Sequence, residues 1–380
     1  MPNREIQIIA ENIKTRIVPH GWREAGIYLL TLNVNGRKPL LGRLEGTPEK
    51  ARIEATELGV RVSQEIQHIS SYYPQIQVLA KQLMPDHLHV VLYVKELLPV
   101  AIGLVVRGLK QGCNRAVREI AIAAERRALA AIQSPSGMTG NADVTKAAMG
   151  ALAAIQSPNE ATGNADVTKA AMGALAAIQS PNGTTGNKGA GMIQSGALFE
   201  TGYHVRALLE KGQLRNMIDY VHDNPRRLAE IIANRDYFRI QRNVTIIGRR
   251  FDAVGNMDLL KGRCMAVVCH GGWSSKEYNT YREERIALAK AGGAVVGAFI
   301  SKPESNIREE AIEAGGAVVL LVENGFPERY KPTGRWFDLC AEGRLLLLAP
   351  WAYRDTPHTI SREQCLQLNR MAEEIEAGCA

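Results

Sequence analysis

An alternating apolar stretch carrying two histidines limits the fold of this chain more than any other feature. It reads Met84-Pro85-Asp86-His87-Leu88-His89-Val90-Val91-Leu92-Tyr93-Val94. Leu88, Val90, Leu92 and Val94 recur at a period of two, the pattern of a strand with one buried face. The other face then carries His87, His89, Val91 and Tyr93. Two imidazoles on one face of a strand stand close enough to share a divalent metal ion. Strand histidines that are partly exposed and bind nothing fit the same spacing.

A second stretch runs from Gln213 to Pro225. Leu214, Met217, Ile218 and Val221 form an apolar stripe at helical spacing, and Pro225 is expected to end the helix. Tyr220 and Asn224 are four residues apart on one edge of that stripe, so both can reach the same point beside a sheet. A tyrosine nucleophile, two histidines and an amide oxygen around one metal compose a site able to cleave a phosphodiester. The competing reading of Tyr220 is a packed helix tyrosine with its ring in the core. His222, two residues on, points elsewhere and reads as structural or DNA-contacting.

Pro85-x-His87-Leu88-His89 followed by Tyr220-Val221-His222-x-Asn224-Pro225 resembles the single-tyrosine HUH transposases. Within their IS200-like group the likeness is closest to the REP-associated tyrosine transposases, over roughly residues 15–245. The resemblance implies a ferredoxin-like α+β domain with the histidines on a central strand and the tyrosine on a later helix. It also implies cleavage and rejoining of single-stranded, hairpin-containing DNA through a 5′-phosphotyrosine. Tyr220 would be the nucleophile, and His87, His89 and Asn224 would hold Mg²⁺ or Mn²⁺. The setting implied is the bacterial cytoplasm at the nucleoid, with the protein a monomer or homodimer. The alternatives are a DNA-binding protein that no longer transposes, or a chain whose main activity is a nucleotide- or nucleic-acid-binding C-terminal module.

Charge is distributed in keeping with a polyanionic partner. The chain has a net charge of +7. Residues 1–127 carry 18 basic against 12 acidic side chains and residues 191–250 carry 10 against 6, whereas 251–380 is net acidic. Arg107, Lys110, Arg115 and Arg118 on a predicted helix, with Arg226 and Arg227 after the tyrosine, are the candidate DNA contacts. A solvated helix face explains such residues almost as well. No apolar run of membrane-spanning length occurs, and the N-terminal residues have no signal-peptide pattern. The six cysteines are scattered without a C-x-x-C pair, which predicts free thiols in a reducing compartment.

Taken in order, strands are predicted at residues 27–34 and 40–44, a helix at 47–70 with Pro48 in its first turn, a strand at 76–83, then the histidine strand. A long helix from about residue 99 to beyond 127 follows. This order predicts an antiparallel sheet with helices on one face. Residues 128–150 then recur almost unchanged as 151–173, and a third copy begins at Ala174. This 23-residue repeat predicts a flexible or marginally helical insert over 128–190 between the metal strand and the nucleophile. Loop closure costs little extra with length, so both halves of the site can still meet. The segment 198–203 is expected to supply the last strand of the domain, which closes near residue 247.

Residues 248–380 alternate strands (264–269, 294–300, 317–322, 345–349) with helices (276–291, 305–314), predicting a doubly wound parallel α/β domain. Its layout distantly resembles the Rossmann-like domain of DNA-processing protein A. Gly271, Gly272, Ser274 and Ser275 lie where a strand end meets a helix N-terminus and are candidates for binding phosphate. A serine-capped helix after a glycine turn is the equally weighted alternative.

Overall fold

The computed structural model describes residues 22–133, 197–208, 212–269, 272–356 and 359–379. The expected insert lies outside the described residues, apart from 128–133. The chain divides into two compact units, Met1–Ala229 and Glu230–Ala380.

The first unit is built on an antiparallel sheet of four strands: β1 (Gly26–Asn33), β4 (Ile76–Met84), β5 (His87–Val94) and β6 (His204–Leu208). Their order is β4-β5-β1-β6, so the histidine strand is central. Pro85 and Asp86 form the tight turn between β4 and β5. The Asp86 carbonyl accepts a bond from Val34 N at 2.9 Å, which pins that turn to the end of β1. Even-numbered residues of β1 and β5, including Leu30, Leu32, Leu88 and Val90, are buried against α1 (Glu57–Tyr72) and α2 (Ile102–Gln133). The apolar rows Leu58-Val62-Ile66-Ile69 and Val105-Leu109-Cys113-Val117 supply the helical side of that core.

The expectation of helices on one face is corrected by α3 (Gln213–Ala233), which packs on the other. Leu214, Ile218 and Val221 meet Ile27 of β1, Val91 of β5 and Ala80 of β4, which lie on the face opposite Leu30 and Leu88. A second apolar patch on the sheet requires a second cover, and the α3 stripe matches it. α3 also passes through Pro225 instead of ending there. Proline cannot donate to the carbonyl four residues back. Asn224 Nδ2 takes that place, donating to Val221 O at 3.3 Å and to Tyr220 O at 2.9 Å.

Three further boundaries differ from the sequence reading. The helix expected from Thr47 is only a 3₁₀ turn at Pro48–Lys50, and β3 (Arg52–Ala55) follows, paired with β2 (Gly42–Glu45) as a separate ribbon. α1 starts after Thr56, whose hydroxyl accepts from Gly59 N at 3.1 Å. A Cβ on Gly59 would lie 1.9 Å from Leu41 O, so the helix can lie against that strand end only with glycine there. The last strand is β6 rather than 198–203, where Phe199 makes a single bridge to Val34.

The second unit is a six-stranded sheet in the order β7-β8-β12-β11-β10-β9. Its strands are β7 (Gln241–Ile246), β8 (Arg249–Gly255), β9 (Cys264–Ala266), β10 (Ala294–Gly297), β11 (Ala317–Leu321) and β12 (Leu345–Ala349). β9 to β12 are parallel, while β8 is antiparallel to β12 and β7 to β8. The hairpin of β7 and β8 was not foreseen and begins upstream of the expected boundary at residue 247.

The helices α4 (Ser275–Lys290), α5 (Lys302–Glu313) and α6 (Arg335–Ala341) share one core with one face of the sheet, and α7 (Arg362–Gly378) covers the other. The parallel strands follow chain order without reversal, and right-handed crossovers therefore put their connecting helices on one side. The sheet is not doubly wound in the expected way. The Gly292-Gly293 and Gly315-Gly316 pairs end α4 and α5: the first glycine of each has φ +81 or +89. Among the described residues, no helix is long and apolar enough to cross a membrane.

Candidate catalytic site

The alternation of β5 sends His87 and His89 to the face covered by α3, away from the core that holds Leu88 and Val90. Their ring centroids are 4.9 Å apart and nearly perpendicular. From α3, the Tyr220 ring comes to 6.1 Å from the His89 ring. Tyr220 is 42% exposed, so it is not the packed core tyrosine of the competing reading. The Arg227 guanidinium, two turns further along α3, lies 5.7 Å from the Tyr220 ring centroid. A strand residue and a helix residue separated by more than a hundred positions thus form one cluster.

Each imidazole is oriented through its Nδ1. His87 Nδ1 is 2.6 Å from Asp86 Oδ1, and Arg37 Nε holds the other oxygen of that carboxylate at 2.9 Å. His89 Nδ1 is 2.8 Å from Thr31 Oγ1, its cross-strand neighbour in the β1–β5 register. In its neutral form His87 would donate from Nδ1 to Asp86 and keep the Nε2 lone pair for a ligand, the usual support of a metal-binding histidine. Burial, then the charges of His87 and Arg37, push the His89 pKa down to about 4. Its ring is therefore neutral at physiological pH, the form that binds metals. Burial pushes the Asp86 carboxyl up, but the hydrogen bond to His87 and the charges of His87 and Arg37 outweigh it and hold it below its ordinary value.

Asn224 stands one helical turn beyond Tyr220. Its Nδ2 is committed to the helix backbone, which leaves Oδ1 as the donor a hard cation would use. Imidazole nitrogens suit transition-metal ions and an amide oxygen a harder cation, so these three groups are candidate donors to a divalent ion. Among the described residues, no group of three or more His, Cys, Asp or Glu is placed to hold a metal ion, and this donor set does not depend on one.

The remaining candidates lie elsewhere. Arg107, Lys110, Arg115 and Arg118 are on α2, across the sheet from the histidines and Tyr220. Lys110 is a structural residue: its ammonium donates to the carbonyls of Glu200, Thr201 and Gly202 at 2.6, 3.1 and 2.8 Å. Burial lowers its pKa. Arg115 stands 4.0 Å from Glu65. Arg226 makes a bidentate pair with Asp223 at 2.5 and 2.8 Å. Arg227 is the basic residue of the set that neighbours Tyr220.

In the second unit, Ser274 caps α4. Its hydroxyl accepts from Glu277 N at 3.3 Å while Glu277 Oε2 accepts from Ser274 N at 2.7 Å. The Glu277 carboxylate thus stands where a phosphate would bind, which favours the capping reading over the phosphate one. Gly272 takes φ +91 and Ser275 opens the helix, whereas Gly271 lies outside the described residues.

Asp86, Thr31 and Arg37 were missed in the sequence. Asp86 was legible as the neighbour of His87. Thr31 acquires its role only through strand register. Comparison with known proteins finds no matching family model, curated protein or solved structure.

Proposed function

We propose that the first unit is a metal-dependent nuclease and strand transferase acting on single-stranded DNA, with Tyr220 as its nucleophile. The observation that carries this reading is the Tyr220 ring beside His89, itself paired with His87. The Tyr220 oxygen would attack a backbone phosphorus as the bond to the 3′-oxygen breaks, leaving a 3′-hydroxyl and a 5′-phosphate joined to the tyrosine. The phenolic proton is lost to solvent at this exposed position, and another passes to the leaving oxygen. The phosphotyrosine bond retains the energy for rejoining, so strand transfer needs no ATP. Mg²⁺ or Mn²⁺ held by His87, His89 and Asn224 Oδ1 would polarise the scissile phosphate. Arg227, with its guanidinium 5.7 Å from the Tyr220 ring, would meet a phosphate oxygen there. Single-stranded DNA with a hairpin is the substrate that the resemblance of the two motifs to single-tyrosine HUH transposases implies.

The test is incubation with labelled single-stranded hairpin DNA and Mn²⁺, followed by a denaturing protein gel. A covalent band is expected from the unaltered protein and none from Tyr220→Phe or His87→Ala. Tyr220→Phe should keep DNA affinity within about twofold, since one hydroxyl contributes little to backbone binding. Intact DNA that still shifts on a native gel would replace this reading with that of a DNA-binding protein carrying a silent site.

A further inference from the structure

The second unit holds a cationic cleft that the proposed DNA chemistry does not use. Arg249 and Arg250 open β8, Trp351 follows β12, and Gln367 and Arg370 come from α7; together with Pro350 and Met371 they line a cleft of about 500 Å³. The sheet explains how distant segments meet. β8 is antiparallel to β12, with Asp252 opposite Ala349, so the first residues of β8 lie just past the carboxyl end of β12. From that end the chain crosses to α7, on the face opposite the helices that connect the parallel strands. Such a divergence at strand ends opens a crevice, the usual ligand position in open α/β sheets.

The lining has a definite chemistry. Arg249 makes a bidentate pair with Glu374 at 2.7 and 2.9 Å, which offsets one of the three charges. Among the described residues, Arg250 has no carboxylate within 4 Å, Arg370 adds to the pull that lowers the Glu374 carboxyl pKa, and both arginines are exposed. Three guanidinium groups against the single Glu374 carboxylate leave an excess of positive charge that a further anion would offset, and the guanidinium fork matches phosphate oxygens. Trp351 packs partly against the α7 core and adds an aromatic surface to the same cleft. Cation and indole together suit a phosphate attached to a stacking base. The volume falls in the range of small-ligand sites.

We propose that this cleft binds a nucleoside phosphate, its phosphate at Arg250 and Arg370 and its base against Trp351. The same chemistry is offered by a free nucleotide and by the phosphorylated end of a single strand. The inference is independent of Tyr220, and its readout is binding alone.

The test is calorimetric titration of the full-length protein with adenosine monophosphate, inorganic phosphate and a thymidine pentanucleotide with and without a 5′-phosphate. Saturable binding of adenosine monophosphate or of the phosphorylated pentanucleotide is expected. It should weaken at least about tenfold in Arg250→Gln/Arg370→Gln. Trp351→Leu should weaken the nucleotide and leave inorganic phosphate unchanged. Arg282→Gln, on the α4 face and paired with Glu310, should change nothing. Should the double variant unfold, Arg250→Gln alone is read the same way. Tighter binding of the mononucleotide supports the free-nucleotide source, and tighter binding of the phosphorylated pentanucleotide supports the strand-end source. Absence of saturable binding, or binding indifferent to the arginine substitutions, would overturn the proposal.

Discussion

Asp86 and Thr31 set what the two histidines can do. Asp86 would hold the proton of neutral His87 on Nδ1, and removal of such a partner lowers metal affinity by about 10–100-fold. Asp86→Asn is therefore expected to weaken Mn²⁺ binding in that range, measured by electron paramagnetic resonance of free Mn²⁺, while Tyr220→Phe leaves it unchanged. His89 adds a pH dependence to the metal-free protein. Its pKa drops from an ordinary 6.5 to about 4 on folding, so the unfolded chain binds the proton more tightly between those values. Stability must then be complete above pH 6.5 and fall as pH drops toward 4, by up to ~3 kcal/mol from this residue. Asp86, whose carboxyl is held below its ordinary value, loses its contribution in the same direction at lower pH. Urea unfolding at pH 7 and pH 4.5 should show a smaller difference for His89→Gln than for the unaltered chain, and an equal difference would refute the assignment.

At the scale of elements, α3 depends on a side chain to run past its proline. Asn224→Ala would leave the Val221 carbonyl without its 3.3 Å partner and is expected to cost about 1 kcal/mol. Pro225→Ala restores a backbone donor to that carbonyl, so the double variant should recover most of the loss; a strictly additive cycle would count against this account. α2 carries the complementary lesson. Its basic surface made Arg107, Lys110, Arg115 and Arg118 candidate DNA contacts, and helix packing puts them across the sheet from Tyr220. Substituting Arg115 and Arg118 with Gln should leave the cleavage rate of a short oligonucleotide within about twofold, whereas Arg227→Gln should lower it by tenfold or more. Equal effects in a gel cleavage assay would reverse that ranking.

For the molecule as a whole, the division between units falls within α3 and not after residue 247. Phe238 is buried in the second core and stacks on Phe337 with centroids 4.8 Å apart, and β7 is the outer strand of the same sheet. A fragment starting at Gly248 discards both. It is expected to unfold at lower denaturant than one starting at Asn234, because losing a buried phenylalanine alone costs about 3–5 kcal/mol. Coincident midpoints by circular dichroism would show that β7 and Phe238 contribute nothing to that unit.

What the sequence determined by itself was local and periodic. The two-residue alternation of β5 specified a histidine face, the stripe of α3 specified a helix, and the strand–helix alternation after Cys264 specified a parallel sheet. These patterns are legible because each reports burial of its own element. Tertiary packing alone decided which face each helix covered, that Thr31 would meet His89, that Arg227 and not Arg115 would stand beside Tyr220, and that Arg249, Arg250 and Arg370 would share a cleft. Such pairings join residues distant in sequence through strand register and competition for apolar surface, neither of which leaves a mark in the local pattern.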